Sequence, residues 1–149
     1  MEANEENLAH VAQLLDEARE AGLDGYAQAN AKGLAWCTAS YNGCGPECLR
    51  PRARAKLTSY LALFAPAFML HDCDFAASDG KMASFHAANE RLRVNCLKLA
   101  DRAYAWWNWK RYRARLAADL IADLCDSIFG FYSWEEAHMQ STQYNKENQ

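Results

Sequence analysis

His71 is the residue best placed by its neighbours to do chemistry, because an imidazole can take up or release a proton near neutral pH. It opens the run His71-Asp72-Cys73-Asp74-Phe75, and the turn signal Ser78-Asp79-Gly80 follows closely. A short connection at Gly80 implies that the helices on either side form an antiparallel hairpin. Reflecting positions about Gly80 sets His71 level with Asn89, Phe75 level with Phe85 and Phe68 level with Leu92. The apolar partners fall on facing stripes, and the histidine meets an amide. Such an amide can accept a hydrogen bond from the far ring nitrogen and so fix the tautomer. The same reflection brings Asp74 towards His86. His71, Asp72 or Asp74, and His86 are therefore an alternative ligand set for a transition metal. The chain has only four histidines (His10, His71, His86, His138), too few for a two-metal phosphohydrolase of the His-Asp type.

The elements that must hold these residues are helical. Leu8, Val11, Leu14, Leu15 and Ala18 recur at three- and four-residue steps, predicting an amphipathic helix over 5–21, capped by Asn4 and stopped by Gly22. A shorter helix is expected over 24–36, weakened by Gly33. Next comes the strongest breaker cluster in the chain, Ser40-Tyr41-Asn42-Gly43-Cys44-Gly45-Pro46. Residues 57–77 read as a helix that Pro66 either kinks or starts. Residues 82–104 form another, with Phe85, Ala88, Leu92, Cys96 and Leu99 on one stripe. A last helix carries Leu116, Leu120, Ile121 and Leu124 to about residue 128 and ends near Gly130. Strand alternation is not seen, so the class is all-α, with one domain over 1–138 and a flexible polar tail over 139–149.

Composition narrows the function classes. A chain of 149 residues, half of them apolar, can bury one core without covalent staples. A net charge of -3 gives no global pull towards nucleic acid. The N-terminus lacks the basic and apolar regions of a secretion signal, and no run approaches the roughly 18 apolar residues of a membrane span. A cytoplasmic or virion-associated location is the expectation. Cys37, Cys44, Cys48, Cys73, Cys96 and Cys125 are then expected as thiols. Their closest spacing is Cys44-x-x-x-Cys48, which does not suit zinc.

The run His71-Asp72-Cys73-Asp74-Phe75, with Asn42-Gly43-Cys44-Gly45-Pro46 upstream and Ala87-Ala88-Asn89-Glu90-Arg91-Leu92 downstream, resembles the phospholipase A2 family, in its compact bacterial and viral type. Members carry a glycine-rich calcium loop, a helix with a His-Asp pair followed by an aromatic, and an antiparallel helix that orients the histidine. The resemblance covers residues 40–97. It implies a calcium-dependent hydrolase of phospholipid esters that works on a membrane surface. His71 would be the general base, Asn89 the orienting residue, and Asp72 a calcium ligand beside carbonyls of Asn42, Gly43 and Gly45. The sequence departs from the family at Asn89, where an acid is usual, and it lacks the family's cysteine just ahead of the His-Asp pair. The stretch between loop and histidine is also long. The competing expectation is a non-catalytic helical interaction protein, of a phage or viral accessory type, that keeps the fold without the chemistry.

Two further segments invite function. The strip Tyr104-Ala105-Trp106-Trp107-Asn108-Trp109-Lys110-Arg111-Tyr112-Arg113 mixes aromatics with cations. Such a strip can sit among lipid headgroups or stack on single-stranded nucleic acid, but the favoured expectation is core packing, with no nucleic-acid partner. Arg50-Pro51-Arg52-Ala53-Arg54-Ala55-Lys56 reads as a solvated basic loop that could draw the protein to anionic membranes. A Gly-x-Ser-x-Gly elbow, a phosphate loop and a dinucleotide fingerprint are all absent from the sequence.

Overall fold

The computed structural model describes residues 2–41, 51–127, 130–132, 134–136 and 138–139, with side chains described from residue 5 to 41 and from residue 60 onward within those ranges. Its elements are α1 (Glu2–Glu20), α2 (Tyr26–Lys32), α3 (Leu34–Ser40), α4 (Pro51–Ala76), α5 (Met82–Ala103) and α6 (Trp109–Cys125). The described residues contain no strand, and those between 130 and 139 are helical.

Helix α1 buries Val11, Leu14, Leu15 and Ala18, the stripe that its periodicity marks. It already runs through Asn4, so Asn4 does not cap it, and acidic residues occupy its first turns instead. Gly22, at φ 62°, ends it in a left-handed turn. There the amide of Leu23 bonds the carbonyl of Ala18 at 3.0 Å, and that of Gly22 bonds Arg19 at 3.1 Å. The single helix expected over 24–36 is in fact α2 and α3. Gly33 takes φ 92° and ψ 158° between them, a conformation that breaks a helix outright rather than weakening it.

Helix α4 begins earlier than expected, so residues 51–56 are its first turns and not a loop. Pro66 sits inside α4 and is fully buried, neither opening the helix nor terminating it. The turn at Gly80 has φ 78°, and Asp79 Oδ1 accepts the Lys81 amide at 3.0 Å and the Ser84 hydroxyl at 2.5 Å. This closes α4 onto α5. The rings of Phe75 and Phe85 meet at 5.9 Å across that closure, and Phe131 and Trp134 join them from the C-terminal stretch.

Helix α6 starts at Asn108, whose side chain accepts the Lys110 amide at 3.0 Å. Its buried face is Ala114, Ala117, Ala118, Ile121 and Ala122. Small side chains let its backbone press closely against α5. Arg93 fixes the register by bonding Asp119 at 2.8 Å and Asp123 at 2.7 Å, and Asp101 grips Arg111 at 2.7 Å and Arg115 at 2.7 Å. Those two guanidinium groups, Arg111 first, hold the Asp101 carboxyl down at about 2. Two expectations are overturned here. Leu116, Leu120 and Leu124 lie outside at 46%, 59% and 44% exposure, and Trp106, Trp107 and Trp109 are 78%, 73% and 61% exposed instead of packing in the core. The alanine face has taken the contact with α5, so the leucines on the opposite side point outward. The helix that carries these leucines also stops at Cys125, before the residue 128 expected, and Gly130 is itself helical.

A second polar anchor ties the first helices to α5. Asn95 is buried to 1%, accepts the Asp24 amide at 2.8 Å and donates to the Asp24 carbonyl at 2.9 Å. Lys98 adds bonds to the Gly22 carbonyl at 3.0 Å and to Asp24 at 2.8 Å. Asn95→Ala strips a main-chain donor and acceptor of their partners, which should cost about 2 kcal/mol. A melting curve should show the midpoint falling by roughly 4–8 °C. An unchanged midpoint would mean that water replaces the amide without loss. Cys37, Cys73 and Cys96 are free thiols, while Cys44 and Cys48 lie outside the described residues.

Candidate functional site

His71 stands near the C-terminal end of α4 with 7% of its surface exposed. Its Nε2 is 2.8 Å from Asn89 Oδ1 on α5, the partner that reflection about Gly80 picks out. The Asn89 amide cannot be turned the other way without loss. Its Nδ2 donates to Asp126 Oδ1 at 2.9 Å and to the Cys125 carbonyl at 3.3 Å, and both of those are acceptors. Oδ1 is therefore the atom offered to His71, and an oxygen can only accept. The proton of the neutral ring must sit on Nε2, which leaves the lone pair on Nδ1.

Burial keeps the ring neutral. Desolvation pushes the His71 pKa down to about 4, with the Asn89 bond pulling weakly the other way. Phe75 lies against it with ring centroids 4.0 Å apart, and Phe75 in turn packs on Phe85. The imidazole thus has one apolar wall and one polar anchor.

The anchor continues outward. Asp126, at the C-terminal cap of α6, also accepts from His86 Nδ1 at 2.8 Å. Burial opposes ionisation of Asp126, but the Asn89 amide and His86 hold its carboxyl below the usual carboxylate range. The result is a chain His71–Asn89–Asp126–His86 running from the interior to the surface. A carboxylate is present, one amide further from the imidazole than in a direct His-Asp pair.

Comparison of the chain with protein-family models, with curated proteins and with solved structures finds no match. The site has to be judged on its own geometry.

That geometry separates the other sequence candidates. Asp74 does not meet His86; it pairs with Arg91 at 2.6 Å, while His86 belongs to Asp126. Burial raises the Asp74 carboxyl to about 6, against the attraction of Arg91. Its Oδ2 is buried with no hydrogen-bond partner among the described residues. The structure therefore does not bring Asp74 and His86 together as ligands of one ion, and a group of three or more His, Cys, Asp or Glu side chains suited to a metal is not found among the described residues. Asp72 follows His71 on α4 and is half-buried. Asn42, Gly43 and Gly45 lie outside the described residues. Among those described, no helix is long and apolar enough to cross a membrane.

Sequence reasoning missed Asp126 and the Asp74–Arg91 pair. A usable signal did exist for the first. Reflection about Trp106, in the turn before α6, sets Asp126 level with His86, Asp119 level with Arg93 and Arg111 level with Asp101. All three pairs are bonded in the structure.

Proposed function

We propose that the chain is a phospholipase A2-like hydrolase of membrane phospholipid esters, with His71 as general base and Asn89 as the residue that orients it. The observation that carries this reading is the amide of Asn89, which forces the His71 lone pair onto Nδ1 in a ring that burial keeps neutral. A neutral imidazole with one nitrogen anchored and the lone pair of the other unprotonated has the form that activation of a water molecule requires. Water attack at an ester carbonyl then needs no serine or cysteine nucleophile. As the ring takes up the proton, positive charge develops beside Asn89. The Asp126 carboxylate, reached through the amide, polarises that bond in the favourable sense.

Calcium belongs to this reading as a proposal. The donors would be hard oxygens, the Asp72 carboxylate with main-chain carbonyls of Asn42, Gly43 and Gly45, a set that would suit calcium better than a transition metal. When bound, the ion would polarise the ester carbonyl. The membrane surface is the proposed partner.

The test is fatty-acid release from phospholipid vesicles in calcium and in chelator, for the wild type and for His71→Ala. Release that needs calcium and falls by about 10² to 10⁴ in the variant is the expected result. Release retained in His71→Ala, or a wild type that releases nothing, overturns the reading. The second outcome would favour the other class, a non-catalytic helical interaction protein, for which the supporting observation is the uncovered apolar face of α6.

A further inference from the structure

Three sulfurs converge inside the molecule where α3 packs on α4. Cys37 on α3 and Met69 on α4 are fully buried, and Cys73, one turn beyond Met69, is 4% exposed. Cys73 Sγ lies 4.0 Å from Met69 Sδ, and the Cys73 and Cys37 thiols share a hydrogen bond. Cys37 gives its own proton to the Ala29 carbonyl at 3.3 Å, so the lone pairs of its sulfur are left for Cys73. Cysteine and methionine are common core residues. Packing alone does not require their sulfurs to meet from two different helices.

The chemistry of this donor set selects its ligand. Two thiols and a thioether are soft donors, and soft donors prefer a soft ion. Zinc wants a fourth ligand and takes it from cysteine, histidine or a carboxylate. A group of three or more such side chains suited to a metal is not found among the described residues. Cu(I) accepts thioether sulfur and is satisfied by fewer ligands. Taking about 2.3 Å for a metal–sulfur bond, three sulfurs around one ion in a plane stand about 4 Å apart. The separation of Cys73 and Met69 already has that value. We propose that Cys37, Met69 and Cys73 form a binding site for Cu(I).

Binding forms copper bonds to the two cysteine sulfurs and to the Met69 thioether. Both thiol protons leave to solvent, and the Ala29 carbonyl gives up its bond from Cys37. The copper stays Cu(I), so no electron is transferred. All three side chains belong to the main apolar core. That shell keeps water from the ion and protects the reduced form, since Cu(II) prefers nitrogen and oxygen in a tetragonal arrangement. Bound copper fastens α3 to α4. The site uses none of the residues assigned to hydrolysis and does not depend on that reading.

Anaerobic competition with the Cu(I)–bicinchoninate complex tests the proposal on the full chain. The wild type should withdraw one Cu(I) per chain, and X-ray absorption at the copper edge should show three sulfurs at about 2.3 Å. Cys37→Ala and Cys73→Ala should each weaken binding by about 100-fold or more, beyond the effect of losing a group that only supports a ligand. Met69→Leu keeps the volume of the side chain and should weaken binding about tenfold, with the sulfur count falling to two. The absorption spectrum and Met69→Leu decide the matter even where a cysteine variant fails to fold. Cys44→Ser/Cys48→Ser leaves the three sulfurs in place and should bind as the wild type does. A wild type that takes no copper overturns the proposal. So does a spectrum with nitrogen or oxygen donors in place of sulfur, a Met69→Leu variant that keeps three sulfurs, or binding lost in Cys44→Ser/Cys48→Ser.

Discussion

Asn89→Asp should destabilise the protein by about 2–4 kcal/mol at pH 7, although it restores the acid that a directly paired histidine would have. The Asn89 nitrogen now gives hydrogen bonds to Asp126 Oδ1 at 2.9 Å and to the Cys125 carbonyl at 3.3 Å. A carboxylate oxygen in its place would face two acceptors, one of them charged, at a position only 3% exposed. The double variant Asn89→Asp/Asp126→Asn exchanges acid and amide across the same bond, so one donor again faces one acceptor. It should recover more than half of the loss in urea unfolding. If the hydrolase reading holds, it is also the variant in which vesicle hydrolysis should rise, since the charge then touches the imidazole directly. A single Asn89→Asp variant as stable as the wild type would mean that Asn89 does not bridge His71 and Asp126 as the geometry has it.

Stability between pH 4 and 6.5 should be nearly flat, because two buried groups oppose one another there. The folded-state pKa of His71 is depressed to about 4 from 6.5. Its contribution is therefore present above 6.5 and lost as pH falls through 4, by roughly 3 kcal/mol at about 1.4 kcal/mol per unit. The folded-state pKa of Asp74 is raised to about 6 from 3.8. Its contribution is present below 3.8 and lost as pH rises through 6, again by roughly 3 kcal/mol. Asp74→Asn removes the second slope and should leave a protein that loses stability steadily on acidification from 6.5. His71→Gln should do the reverse and gain stability as pH falls from 6 towards 4. Urea midpoints for the three proteins at four pH values decide this. Parallel curves would show that neither group titrates in the folded state as its surroundings require.

Much of the α4–α5 hairpin was legible because glycines and apolar periodicity act locally. Gly22 and Gly80 mark real turns, and one reflection about Gly80 pairs both His71 with Asn89 and Phe75 with Phe85. Gly33 was legible as a weakness but not as a break, since its ψ depends on where α3 must go. The face of α6 was not legible. Both the leucines and the alanines of α6 recur at helical spacing, and hydrophobicity alone favours burying the larger set. The space against α5 admits the smaller one, and that depends on how closely two backbones approach. Asp126 was missed for a related reason. It matters only once α6 lies along α5, a consequence of tertiary packing that no window of the sequence contains.

The bonds made by α5 have one more consequence, for the order in which the chain folds. Its side-chain bonds towards α4 and towards α6 and its cap span 10 to 40 residues, from the Asp101–Arg111 pair to the His86–Asp126 pair. Those from Asn95, Lys98 and Arg102 to the end of α1 and the corner after it span 71 to 82. Closing the longer loops costs more chain entropy, and their reward comes only after α5 has taken shape. Helices α4, α5 and α6 thus make a nucleus that can assemble from near neighbours, with α1 the last element to dock and the first to come away.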